Sequence, residues 1–403
     1  MSPTSGRAGF PANRRGRLAV LVMALMAAPL LSPAASPARS EAGEAAPSPA
    51  EAAQAEAEAS WYFGESEAEG WAELMNARDG LTKKLESQTR ELGADSPLTL
   101  GTGQELGEIL LMVNDGARAR EILAGVAEAR DRILGPDHEL SLEAAEALAR
   151  SAAALGDGIA ARDLFVRVLE SRTRTLGHND GSTLAAAVGL SETLMSLGQP
   201  EAAADNLRIV AESRTRTLGE RHPLTLDANE LLALALLEAR DWEGAKALLA
   251  PALEIRRETL ERDHPAALAD ASNLAAALSM TKDLDGAQTL FSEVLEARDR
   301  IQGPGHPESV ASAYRLAILL LQKGDTDQAL SLARRISTAG AASVVPGIPD
   351  AREEARDLSH RLARLLIDLG MGTEAQEIFG ISPQAISSTP AATPGSSATD
   401  TSR

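Results

Sequence analysis

Residues 214–226 read RTRTLGERHPLTL. Leu218-Gly219 closes one segment and Pro223 opens the next. Glycine accepts the left-handed backbone that ends helices, and proline's missing N–H costs nothing in a helix's first turn. The stretch therefore predicts a helix end, a short loop and a helix start. The same punctuation recurs every 42 residues, at Leu92-Gly93, Leu134-Gly135 and Leu176-Gly177, then in the same register at Leu260-Glu261 and Gln302-Gly303. Proline follows four positions after the glycine at Pro97, Pro223 and Pro307, and stands at Pro265 in the unit that has lost its glycine; Glu139 and Gly181 take its place elsewhere. Glu86, Glu128, Glu170, Glu212, Glu254 and Glu296 keep the step, as do Ala119, Ala161, Ala203, Ala245, Ala287 and Ala329. Leu106, Leu148, Leu190, Leu232, Leu274 and Leu316 keep it too. Chance does not hold so many registers together, so the chain is read as a tandem array.

Each unit reads as two helices. In 223–260, Leu226, Leu232, Leu236 and Leu237 form an apolar face at helical spacing. Arg240-Asp241 then makes a short turn, and a second helix runs from about Trp242 to Leu260. So short a turn makes the helices antiparallel neighbours. The invariant alanines sit near the start of each second helix, where a small side chain lets two backbones approach. Gly107, Ala149, Ser191, Ala233, Ala275 and Ala317 form a second small-residue register on the first helices. The array begins with a degenerate leading helix at 71–91, which Trp61, Tyr62, Phe63 and Trp71 are expected to cap. Leu362, Gly370 and Ala375 repeat Leu316, Gly324 and Ala329 after 46 residues, which marks a last pair preceded by a loop around Pro346 and Pro349. The resulting division is 1–40 signal peptide, 41–70 acidic linker and cap, 71–338 tandem repeats, 339–380 C-terminal helix pair and 381–403 disordered tail.

Small side chains twelve residues before the invariant alanine, with leucine just before them, form a pattern that resembles the tetratricopeptide repeat. The run Arg214 to Leu226, and Asp263-His264-Pro265 followed by Asn273-Leu274-Ala275, resemble the repeats of kinesin light chains and their bacterial relatives. The resemblance covers about residues 72–338, with an echo at 350–380. It implies an all-α, right-handed α-solenoid of antiparallel helix pairs whose concave face binds segments of other proteins. The asparagine that kinesin light chains repeat before the Leu-Ala pair survives only as Asn273; its counterparts are Glu105, Ala147, Gly189, Leu231 and Arg315.

Composition agrees with helices. Aromatic residues make up 2 % of the 403, so the core must be built from Ala, Leu and Val. A formal net charge of −19 argues against nucleic acid, whose affinity comes from cations neutralising phosphates. The chain has no cysteine, hence no disulfide, thiolate metal site or lipid-modified cysteine. Residues 1–17 carry Arg7, Arg14, Arg15 and Arg17, an apolar run fills 18–31, and a small, proline-broken stretch follows. This is the layout of a secretory signal peptide. The run is shorter than the ~20 residues that span a bilayer. The expected location is the periplasm or the exterior, with no stable membrane span after cleavage; the alternative is an uncleaved inner-membrane anchor.

No catalytic, cofactor or metal site emerges. His138, His222, His264 and His306 share one register, but one histidine per repeat sets them roughly 16–20 Å apart at 8–10 Å per packed helix. They read as loop histidines before helix starts. Glu128 with Arg132, Glu170 with Arg174, Glu212 with Arg216 and Glu296 with Arg300 stand four apart and read as solvated pairs, worth roughly 0.2–0.5 kcal/mol each. Residues 101–107, GTGQELG, lack the lysine and spacing of a nucleotide loop. The candidate site is instead the groove lined by the first helices. Its inward positions are Gln104, Glu108, Glu143, Glu146, Arg150, Glu192, Asp227, Glu230 and Tyr314, acidic in the first half; Ala269, Ala276, Ala311 and Ile318 make the second half apolar. The expected protein is a non-enzymatic scaffold without cofactor, binding a protein or peptide segment with basic residues; the alternatives are a self-associating assembly factor of the cell envelope and, behind it, a small-ligand-binding protein or an enzyme.

Overall fold

A computed structural model describes residues 67–342 and 351–381. The expected signal peptide, most of the acidic linker with Trp61, Tyr62 and Phe63, the loop around Pro346 and Pro349, and nearly all of the tail lie outside these. The described residues form fifteen α-helices and no strand. They fall into two compact units, which divide between Ala277 and Leu278.

The first unit opens with α1 (Glu67–Leu92), the leading helix, and continues as pairs. These are α2 (Pro97–Met112) with α3 (Gly116–Leu134), α4 (Glu139–Ala154) with α5 (Gly158–Thr175), α6 (Gly181–Ser196) with α7 (Pro200–Leu218), and α8 (Pro223–Glu238) with α9 (Trp242–Thr259). It ends in α10 (Pro265–Met280), whose last residues pass into the second unit. That unit holds α11 (Leu284–Gln302), α12 (Pro307–Lys323), α13 (Thr326–Ala342), α14 (Ala351–Asp368) and α15 (Gly372–Phe379). The paired first helices of the first unit are 16 residues long and the second helices 18 or 19. The longer second helix is what stretches the period.

Local chemistry sets the boundaries. Pro97, Pro223 and Pro307 occupy the first turns of α2, α8 and α12. At the turn inside each pair, one residue per repeat is left-handed: Asn114, Gly156, Gly198, Arg240, Lys282 and Gly324, with φ between 59° and 84°. The starts of second helices are capped by aspartates. Asp115, Asp157, Asp241 and Asp283 each accept the backbone N–H three residues on.

The packing explains both small-residue registers. Ala119, Ala161, Ala203, Ala245 and Ala287 are fully buried, and so are Ala149, Ser191, Ala233, Ala275 and Ala317. Each of these second helices also buries one large residue: Leu123, Phe165, Leu207, Leu249 and Phe291. Such burial contributes about 1.5–3 kcal/mol per side chain. The fit is close: a Cβ on Gly107 would stand 2.5 Å from Leu123, and one on Gly189 2.4 Å from Phe165.

Candidate partner-binding face

Successive first helices of the first unit touch, α2 on α4 and α4 on α6. They therefore form its inner side, which carries most of the residues expected in the groove. Glu108 and Glu192 are exposed, and Glu143, Glu146, Arg150 and Glu230 are half-buried. Gln104 is only 8 % exposed and donates to Glu108 Oε1 at 2.8 Å. Tyr314 lies in the second unit, on α12, and is 1 % exposed; α14 packs on α12 there. Burial raises its phenol above the ordinary range, and the residue belongs to the core rather than to a binding surface.

What holds this face is a register that sequence reasoning passed over. Arg130, Arg172, Arg214, Arg256 and Arg298 stand 42 residues apart on the second helices. Each reaches forward ten residues and donates from Nη1 to a carbonyl in the first turn of the following first helix. The acceptors are Leu140 at 2.7 Å, Ser182 at 2.9 Å, Leu224 at 2.9 Å, Ala266 at 3.0 Å and Glu308 at 3.2 Å. Three of them also reach back twenty-six residues to their own repeat's first helix. Arg172 meets Glu146 at 2.6 Å, Arg256 meets Glu230 at 2.6 Å, and Arg130 meets Gln104 at 3.5 Å. Arg172 adds Glu139 at 2.8 Å, and Arg256 adds Asp227 at 2.7 Å. One guanidinium thus ties a second helix to the first helices on either side of it.

This changes the charge of the face. Arg172 is 3 % exposed; burial alone would lower its pKa, but Glu146 and Glu139 hold it above its ordinary value. Burial lowers Arg130, which has weaker partners. Glu146 and Glu230 are therefore committed to buried cations, and a lysine at either position would set two cations together inside the array. Glu192 differs. It is exposed, it has no ion pair, and the opposing charge that acts on it is Arg150, which lies 3.9 Å from both Glu108 and Glu146. Even so, surrounding protein desolvates Glu192 and raises its pKa. Asp227, also accessible, is raised for the same reason, partly against the pull of Arg256.

Three of the four solvated Glu–Arg pairs expected along the second helices give way to longer connections. Arg132 binds Asp95 at 2.7 Å, Arg174 binds Asp137 at 2.7 Å, and Arg216 binds Asn179 Oδ1 at 2.6 Å. Each joins the end of a second helix to the loop before its own pair, 37 residues back. In the next unit the signs are exchanged, and Arg221 binds Glu258 at 2.9 Å. The loop residue wins because the helix end points at it, whereas four residues along the helix both side chains are free in water. The register histidines are helix caps: Nδ1 of His138, His222, His264 and His306 accepts the N–H two residues on, at 3.2–3.3 Å. Of the two units without a histidine there, one caps with Asp180, while Ser96 in the other makes no side-chain cap bond. Among the described residues, no group of three or more His, Asp or Glu is placed to hold a metal ion, and no helix is long and apolar enough to cross a membrane.

An array of antiparallel helix pairs with an inner face of first helices is an α-solenoid of the protein-interaction class. Family models of the tetratricopeptide repeat match residues 141–180, 183–224, 224–296 and 268–339. The chain is a tetratricopeptide-repeat protein. No curated protein sequence matches it significantly. Among solved structures it is similar to a Podospora anserina protein of nearly identical kinesin-light-chain TPR-like repeats, at 27 % identity over 50 % of this chain and 96 % of that one, with a TM-score of 0.47. It is also similar to the apo form of RapI, at 10 % identity over 78 % and 97 %, with a TM-score of 0.52. A third likeness is NprR in complex with its cognate peptide NprX, at 12 % identity over 78 % and 87 %, with a TM-score of 0.49. At such identities the likeness to RapI speaks for the fold.

Proposed function

We propose that the chain is an exported, non-catalytic scaffold that holds a segment of another protein on the first-helix face of residues 97–238. Glu192 carries the reading. It is an exposed carboxylate without an ion pair on α6, and the protein around it raises its pKa. Glu146 and Glu230 on the same face are paired with buried arginines, so Glu192 is a point at which the face attracts a basic residue. Electrostatic complementarity of this kind sets partner choice and on-rate more than raw affinity. Export rests on the basic, apolar and small segments of residues 1–40.

The experiment is affinity capture from native envelope fractions with the mature chain and its Glu192→Lys form. A partner that the first retains and the second loses supports the reading; equal retention moves the site off this face. Self-capture alone favours the self-associating alternative. Amino-terminal sequencing of the protein from the native host tests export, which an intact Met1 would contradict.

A further inference from the structure

Position 270 is unlike its sisters. Its counterparts in the 42-residue register are Thr102, Ala144, Ala186, Ala228 and Ser312, all small and buried. Asp270 is 0 % exposed, and its carboxyl lies 3.0 Å from Arg256 Nη1. That nitrogen has two hydrogens, and both are engaged, by Glu230 Oε2 at 2.6 Å and by the Ala266 carbonyl at 3.0 Å. Nη2 is held by Asp227 at 2.7 Å. Neither oxygen of Asp270 therefore receives a hydrogen bond. Three carboxylates, Asp227 and Glu230 from α8 and Asp270 from α10, share one guanidinium from α9. The other charges at the cluster, Arg214 from α7 and His222 at the start of α8, act on Asp227.

We infer that Asp270 and Glu230 compete for one hydrogen of Arg256, so that a proton on Asp270 decides whether the Glu230 carboxylate is held in the array or released to the binding face. With Asp270 neutral, Arg256 keeps Glu230. When Asp270 gives its proton to solvent, it becomes an anion without a donor 3.0 Å from Nη1, and it takes the hydrogen that Glu230 held. The Glu230 side chain, 21 % exposed, is the one able to turn to water. The face then gains a free acid one helix away from Glu192. Burial places this exchange near neutrality: it pushes Asp270 up to about 8, against Arg256 and with the help of Glu230 and Asp227. Regulation of binding in this way rests on the reading of the face given above; the exchange itself does not.

The sign follows from linkage. The native state holds the Asp270 proton more tightly than the unfolded chain, so stability falls as pH rises towards about 8 and levels off above it. The test is a carboxyl-carbon NMR titration of the full chain labelled at Asp and Glu, with the Glu230 signal assigned by Glu230→Gln, alongside urea unfolding at each pH. The wild type should show the Glu230 signal moving with a midpoint near 8 and a folding constant that drops by up to roughly tenfold per pH unit below it. Asp270→Asn, which keeps the shape, and Asp270→Ala, which restores the sister residue, should each abolish both. A Glu230 signal that stays still across this range, or moves equally in Asp270→Asn, overturns the proposal. No partner enters either readout, so failure here leaves the binding reading intact, and failed capture leaves this one intact.

Discussion

Arg172 and Arg174 lie two residues apart on α5, and the structure gives them opposite weight. Arg172 is 3 % exposed and bonded to Glu146, Glu139 and the Ser182 carbonyl. Replacing it by methionine keeps most of the volume but strands Glu146, which is 14 % exposed. Removing one partner of a buried pair costs about 3–5 kcal/mol. Glu139 is accessible enough to turn to water, and Glu146 keeps Arg150 at 3.9 Å, so the lower end applies, about 3 kcal/mol. Adding Glu146→Gln should recover more than half of that loss, because no unpaired charge then stays buried. Arg174→Ala breaks only a pair with Asp137 in open solvent and should leave the midpoint where it was. Urea unfolding followed by helical circular dichroism measures all three, and hydrogen exchange localises the loss to α4–α6. Equal losses from Arg172→Met and Arg174→Ala would refute the arginine register as the tie between repeats.

Arg240→Gly and Lys282→Gly relieve left-handed backbone that sister repeats give to glycine, and each should stabilise by about 1 kcal/mol in thermal unfolding. Gly107→Ala presses a Cβ towards Leu123 and should cost about 1–3 kcal/mol by the same assay. His222→Ala removes the Nδ1 cap of α8 and should cost about 1 kcal/mol, whereas His222→Asp, which copies Asp180, should hold its melting temperature. Arg221→Asp alone should lower the melting temperature by setting an acid against Glu258, and Arg221→Asp with Glu258→Arg, which restores the sign order of the other repeats, should recover it in a double-mutant cycle.

The helix pairs were legible because each has a local cause that repeats. Gly219 can only end a helix and Pro223 can only begin one, and the invariant alanines mark where backbones meet. The capping histidines were placed correctly before helix starts, although their Nδ1 bonds needed coordinates. The arginines at 130, 172, 214, 256 and 298 were equally visible as a register. Periodicity does not reveal their role because their partners lie ten residues ahead and twenty-six behind, on other helices, whereas the rule for helix pairs looks only four residues along the same helix. Arg132 and Arg174 mislead for the same reason. Glu146 and Glu230 stand at inward groove positions, yet how far such an acid is spent depends on the cation behind it, which periodicity does not reveal. Tyr314 shares its register with Gln104, Glu146 and Glu230, but α14 covers it in the C-terminal unit.

On the proposed function, it is first helices, not second helices, that meet the partner. A photo-crosslinking amino acid placed in turn at position 192 on α6 and at position 209 on α7, where Ile209 is 58 % exposed, tests it in living cells of the native host. One discrete adduct is expected from position 192, mapped by mass spectrometry to a segment with a basic residue, and none from 209. Adducts from 209 with none from 192 would contradict it.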